Sequence, residues 1–119
     1  MHALFIVLNR TEYLDDILTE FVTIGIKGAT ILDSQGMASA LVNRSEKSPI
    51  FDSLRSFLYS SRPFNKTIFT IIEDEELLEQ AMDAVDKLVG DFNKKGVGIM
   101  FSIPIGKVRG LKENPNNII

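Results

Sequence analysis

TEYLDDILTEFVTIGIKGATILDSQG, residues Thr11 to Gly36, holds a helix, its stop signal and a strand in unbroken succession. Leu14, Ile17, Leu18, Phe21 and Val22 recur at i, i+3, i+4, i+7 and i+8, while Glu12, Asp15, Asp16, Thr19 and Glu20 take the opposite face. Thr11 stands where an N-cap is expected. Gly25 ends the helix, because the residue after a helix commonly adopts the left-handed conformation that glycine reaches without strain. A strand over Ala29–Ser34 follows.

The same pair of signals recurs on either side. Upstream, ALFIVL (Ala3–Leu8) is an apolar run bounded by Asn9 and Arg10, the signature of a buried strand. Downstream, Thr67–Ile72 reads as a third strand. Asp74 then caps a second helix whose apolar stripe is Leu77, Leu78, Ala81, Met82, Val85, Leu88 and Val89, with Gly90 at its end. Glu73, Asp74, Glu75, Glu76 and Glu79 crowd its first turns, where the helix dipole favours negative charge. That dipole accounts for the carboxylates without any acid–base chemistry. Ile99–Ile103 is the last strand, stopped by Pro104. The order strand, helix, strand, strand, helix, strand predicts an α+β ferredoxin-like βαββαβ fold.

Between the second and third strands the chain is longer than a hairpin requires, so residues 37–66 form an inserted segment. Met37 to Lys47 is small and polar without a period and is expected to be mobile. Ser48 as N-cap and Pro49 at the first helical position, with Leu54, Phe57 and Leu58 at helical spacing, predict a helix over 48–61. An amphipathic stripe of this kind more often packs than binds a ligand. The 119 residues suit one compact domain, 1–119.

With no cysteine, disulfides and thiolate metal sites are excluded. No basic region followed by an apolar segment and a cleavage site opens the chain, which points to a cytoplasmic protein without membrane insertion. His2 is the lone histidine and reads as structural rather than as a metal ligand, so no metal site is assigned. Nucleic acid is an unsuitable partner for a chain of pI about 5.1 whose third strand, TIFTII, lacks the aromatic and glycine pattern of RNA-recognition domains. An acylphosphatase-like enzyme would want a glycine-rich, arginine-bearing loop after the first strand, where only Arg10 stands. No catalytic constellation emerges, and the expectation is a protein that is not an enzyme.

Charge is divided unevenly. Residues 1–89 carry 8 Lys/Arg against 14 Asp/Glu, whereas residues 90–119 carry Lys94, Lys95, Lys107, Arg109 and Lys112 against Asp91 and Glu113. A basic end is commonly just solvated. Here Lys94 and Lys95 adjoin Gly96 and Gly98, where backbone N–H groups can approach an anion closely. The strands carry a second message. Leu4, Ile6 and Leu8 oppose Phe5 and Val7, Ile68, Thr70 and Ile72 oppose Phe69 and Ile71, and Ile99, Phe101 and Ile103 oppose Met100 and Ser102. Two helices cover one face of such a sheet. An equally apolar second face requires another cover, either the inserted helix or a neighbouring subunit.

Leu14, Asp15, Asp16, Gly25, Ile26, Gly28, Thr30 and Gly36 resemble the opening of the PII-type nitrogen-regulatory signal proteins, most specifically at the turn GIKGAT. The resemblance resumes from Thr67 to about Arg109. It implies a homotrimer with inward-facing sheets that binds adenine nucleotides, ATP, ADP or AMP, in clefts between subunits. It also implies a loop after the second strand, here within 37–66, that docks onto a regulated transporter or enzyme. The nucleotide-binding residues it points to are Gly36, Met37 and Ala38 together with Lys94, Lys95, Gly96, Gly98 and Arg109.

Departures from the family pattern are equally specific. Met37, Ala38, Ser39 and Ala40 stand where the family has a glycine-arginine-glutamine stretch, and Gly98 occupies the position of its phosphate-loop lysine. The modified tyrosine has no counterpart; Tyr59 falls inside the inserted helix. Two readings follow. One is a PII-like signal-transduction trimer that senses a small effector and regulates a partner. The alternative is a non-sensing structural or interaction trimer of the same fold, CutA-like, with a vestigial cleft.

Overall fold

A computed structural model describes residues 1–42, 64–94 and 96–111. The expected helix over 48–61 and Lys95 lie outside the described residues. Strands β1 (His2–Leu8), β2 (Thr30–Gln35), β3 (Phe64–Ile72) and β4 (Gly98–Pro104) alternate with helices α1 (Leu14–Ile24), α2 (Met37–Val42) and α3 (Glu75–Val89). The sheet has the order β2-β3-β1-β4, and every neighbouring pair is antiparallel. This is the ferredoxin-like arrangement predicted from the order of elements, with α2 as an addition after β2.

The register explains the two faces. Leu4, Ile6, Leu8, Ile68 and Ile72 point to one side and form a single core with Ile17 and Phe21 of α1 and Leu78, Ala81, Val85 and Val89 of α3. Thr70 is buried on that side; its hydroxyl donates to the Gly28 carbonyl, so its burial leaves no orphaned donor. Both helices end as their glycines dictate: Gly25 has φ 103° and Gly90 φ 88°. Asp74 caps α3 through its carboxylate, which accepts from the Leu77 N–H at 2.7 Å.

Several local expectations are corrected. Thr11 is not an N-cap. It opens a single 3₁₀ turn (Thr11–Tyr13), and neither Arg10 nor Tyr13 gives a side-chain cap to the turns that follow. Val22 is 67% exposed, because the buried stripe runs through Ile17 and Phe21 and leaves Val22 a quarter turn away from its centre. The start of the insertion, read as mobile loop, is the helix α2 as far as Val42. Met37, Ala38, Ala40 and Leu41 are among the strongest helix formers, and the Ala40 N–H closes the first turn on the Gly36 carbonyl at 3.0 Å. Strand β3 starts at Phe64 rather than Thr67, since Phe64, Asn65 and Lys66 pair with Gln35, Ser34 and Asp33. Among the described residues no helix is long and apolar enough to cross a membrane.

Candidate functional site

The antiparallel register sorts the candidate residues to two ends of the sheet. Gly36 follows the last residue of β2, and Gln35 is paired with Phe64 at the start of β3. Gly98 opens β4 opposite Leu8, the last residue of β1. These positions share one end of the sheet, but β2 and β4 are opposite edges, separated by three strand spacings, or about 14 Å. Met37 and Ala38 belong to the first turn of α2, with Met37 exposed.

The 90–97 loop is held by its own backbone. Lys94 N–H donates to the Asp91 carbonyl at 3.1 Å and Val97 N–H to the Lys94 carbonyl at 3.4 Å. The Asp91 carboxylate accepts from the Asn93 N–H at 2.9 Å. Val97 is buried and plugs the loop into the core, while Lys94 projects into solvent. Gly96 takes φ 85°. The described part of the loop thus displays Lys94 to solvent.

Gly98 has another role. Its φ is 140°, and a Cβ built there would stand 2.0 Å from the Val7 carbonyl oxygen. No side chain fits where β4 meets β1, so the lysine that the PII family places at this position has no room in this chain.

Arg109 is elsewhere. Strand β4 runs the length of the sheet to Pro104, paired with His2, and the Ile105 N–H continues the ladder to the Met1 carbonyl at 3.1 Å. Arg109 lies beyond that end, some 20 Å from Gly98 by strand rise alone. There it lines an open cavity of about 420 Å³ with Met1, Glu73, Val108, Gly110 and Leu111. Nearby, His2 turns to the helix side, where its Nε2 lies 3.6 Å from Glu75 Oε1. Within one chain the structure therefore brings Gly36, Gly98 and Lys94 to one end and puts Arg109 at the other.

The open face of the sheet is the other distinctive surface. Phe101, Phe5 and Phe69 form a row across β4, β1 and β3, with ring centroids 5.2 and 5.6 Å apart. Flanking rows are Ile103–Ala3–Ile71 and Ile99–Val7–Thr67–Leu32. No charged side chain belongs to this face in any of the four strands. Leu32, Ile99, Phe101 and Ile103 expose 49%, 56%, 40% and 44% of themselves.

One polar group on this face escaped the sequence reading. At the corner made by β2, β3 and the end of β1, the Asn65 side-chain N–H donates to Asn9 Oδ1 at 3.3 Å, and Ser34 Oγ lies 2.8 Å from Thr67 Oγ1. The Ser34 hydroxyl also donates to Asn65 Oδ1, joining the four side chains. Ser, Asn and Thr residues scattered over the chain give no local signal; only the pairing Ser34↔Asn65 assembles them.

No family model matches this sequence, and no curated protein sequence matches it. Among solved structures, the chain is similar to the crystal structure of Arabidopsis thaliana PII bound to citrate. The TM-score is 0.58 at 12% identity, over 87% of this chain and 76% of that one. The βαββαβ order, the sheet order β2-β3-β1-β4 and this likeness together give the chain a divergent PII-like fold.

Proposed function

We propose that this protein is a PII-like regulator: a homotrimer that senses an adenine nucleotide between its subunits and acts on a partner protein through the segment 37–66. The observation that carries the reading is the open sheet face. An uncharged surface with four large side chains about half exposed is costly to leave in water, and burying it against copies of itself removes that cost. Cyclic assembly also has a chemical consequence. Lys94 and Arg109 cannot serve one phosphate group from a single chain, but opposite ends of neighbouring chains can form one cleft. Gly36, Met37, Ala38, Lys94, Lys95, Gly96 and Gly98 would contribute from the one end and Arg109 from the other. The reading assigns the protein no catalytic step.

The absence of room for a lysine at Gly98 favours a second reading, the CutA-like trimer in which the cleft holds nothing. Titration calorimetry with ATP, ADP and AMP separates the two. The sensor binds at least one nucleotide, and the variant Lys94→Ala, Lys95→Ala, Arg109→Ala binds it at least tenfold more weakly, since a hydrogen bond to a charged group is worth about 1.5–3 kcal/mol. No heat from any nucleotide at millimolar concentration, or equal binding by the variant, sinks the sensor and leaves the interaction protein.

A further inference from the structure

We propose that the open cavity bordered by Glu73 and Arg109 binds a small zwitterion with an apolar side chain, of which a free aliphatic α-amino acid is the simplest. The cavity lies where β1 begins and β3 and β4 end. Its lining is Met1, Glu73, Val108, Arg109, Gly110 and Leu111, and its volume of about 420 Å³ falls within the range of small-molecule pockets, about 300–1,000 Å³. The backbone around it is tied to the sheet. His2 pairs with both Ile72 and Pro104, which lead into Glu73 and the 105–111 segment, and the Ile105 N–H donates to the Met1 carbonyl at 3.1 Å.

The lining carries one charge of each sign. Glu73 and Arg109 are both exposed, and among the described residues no ion pair joins them to each other or to a third group. A guanidinium offers a planar fork of N–H donors that matches a carboxylate, whereas a carboxylate accepts from an ammonium. Met1, Val108 and Leu111 add hydrocarbon between the two. A phosphate at this cavity alone would gain Arg109 but meet Glu73, a charge of its own sign. An amino acid uses both groups, and its aliphatic side chain takes the apolar part of the lining out of water. The inference goes beyond the nucleotide reading and shares only Arg109 with it.

Amide NMR of the full chain, at low salt and without nucleotide, tests the site with L-leucine, with isocaproate, which is leucine without its ammonium, and with isoamylamine, which is leucine without its carboxylate. The expected result is a saturable shift of the Glu73, Val108, Gly110 and Leu111 amides with L-leucine at millimolar concentration. Isocaproate and isoamylamine should each bind about fivefold more weakly, the upper end for a solvent-exposed ion pair. No saturable shift with L-leucine, or equal binding of all three, overturns the proposal. In Glu73→Gln the affinity for L-leucine should fall to that for isocaproate, while the affinity for isocaproate itself does not fall. A parallel loss of both would mean that Glu73 only shapes the cavity, and it too overturns the proposal; the amide spectrum shows directly that the variant is folded. Because no nucleotide is present, failure here leaves the nucleotide reading standing, and a chain that binds L-leucine but no nucleotide refutes that reading alone.

Discussion

Replacing Gly98 by alanine tests the approach of β4 to the Val7 backbone. Two costs are visible. A non-glycine residue at φ 140° is strained, typically by about 1–3 kcal/mol. The new Cβ also meets the Val7 carbonyl oxygen at 2.0 Å, more than 1 Å inside ordinary contact, and the obstacle is backbone rather than a side chain that can turn aside. Relief requires β4 to pull away from β1 at the Leu8↔Gly98 pair, beside the Asn9 N–H to Val97 carbonyl bond of 3.0 Å. Losing one or two ladder bonds adds about 1–2 kcal/mol, for a total of about 2–5 kcal/mol. At roughly 2.1 cal/mol/K of unfolding entropy per residue, each kcal/mol lowers the Tm of a chain this size by about 4 °C. Thermal unfolding followed by circular dichroism, at fixed protein concentration because association shifts Tm, should therefore show a drop of about 8–20 °C. Gly106→Ala is the control: its Cβ meets nothing within 4 Å, and the change should stay within about 2 °C. A Gly98→Ala Tm less than about 4 °C below that of the unmodified protein refutes the reasoning.

Two further outcomes are expected. Asp74→Ala removes the cap on the Leu77 N–H and should cost about 1 kcal/mol, read as a Tm about 4 °C lower, with Asp74→Ser recovering most of the loss; no change would mean that water replaces the cap without penalty. Phe101→Asp puts a charge on the uncharged face at its β4 edge, where the ring now stacks on Phe5, and should leave 13.3 kDa single chains in light scattering at micromolar concentration. An unchanged trimer mass would show that the face is covered by something other than copies of the chain.

The parts of the fold that were legible in the sequence are those where one residue type has a single physical reading. Gly25 and Gly90 stop helices because their backbones need positive φ, and Asp74 caps because a carboxylate is suited to free N–H groups. The alternation in β1, β3 and β4 was correct to the residue, since period two leaves no latitude once one face is buried. Elements lacking such a signal were missed. Helix α2 is too short to show a stripe, and the start of β3 is Phe64, Asn65 and Lys66, whose strand character comes from pairing with β2 and not from hydropathy.

The candidate site was harder for a geometric reason. Lys94 and Arg109 are close in sequence, and the intervening segment looks like a short strand and a turn. That strand runs the full length of the sheet and carries the two cations to opposite ends. Gly98, read as a flexible neighbour of a phosphate, is required by the approach of β4 to Val7, an event between residues far apart in the chain that no local pattern encodes.

The pairing of Gln35 with Phe64 has a bearing on how such a protein can change. Residues 36–63 leave the sheet and re-enter it at directly opposed positions of one ladder, with Cα atoms about 5 Å apart. The closure entropy of a flexible loop between fixed points grows only with the logarithm of its length, so doubling this stretch costs about 0.6 kcal/mol. Among the described residues, the core made by α1, α3 and the sheet takes none from 36–42. Selection can therefore change the length of the stretch while the sheet keeps its register, and a new binding preference can arise on the same scaffold.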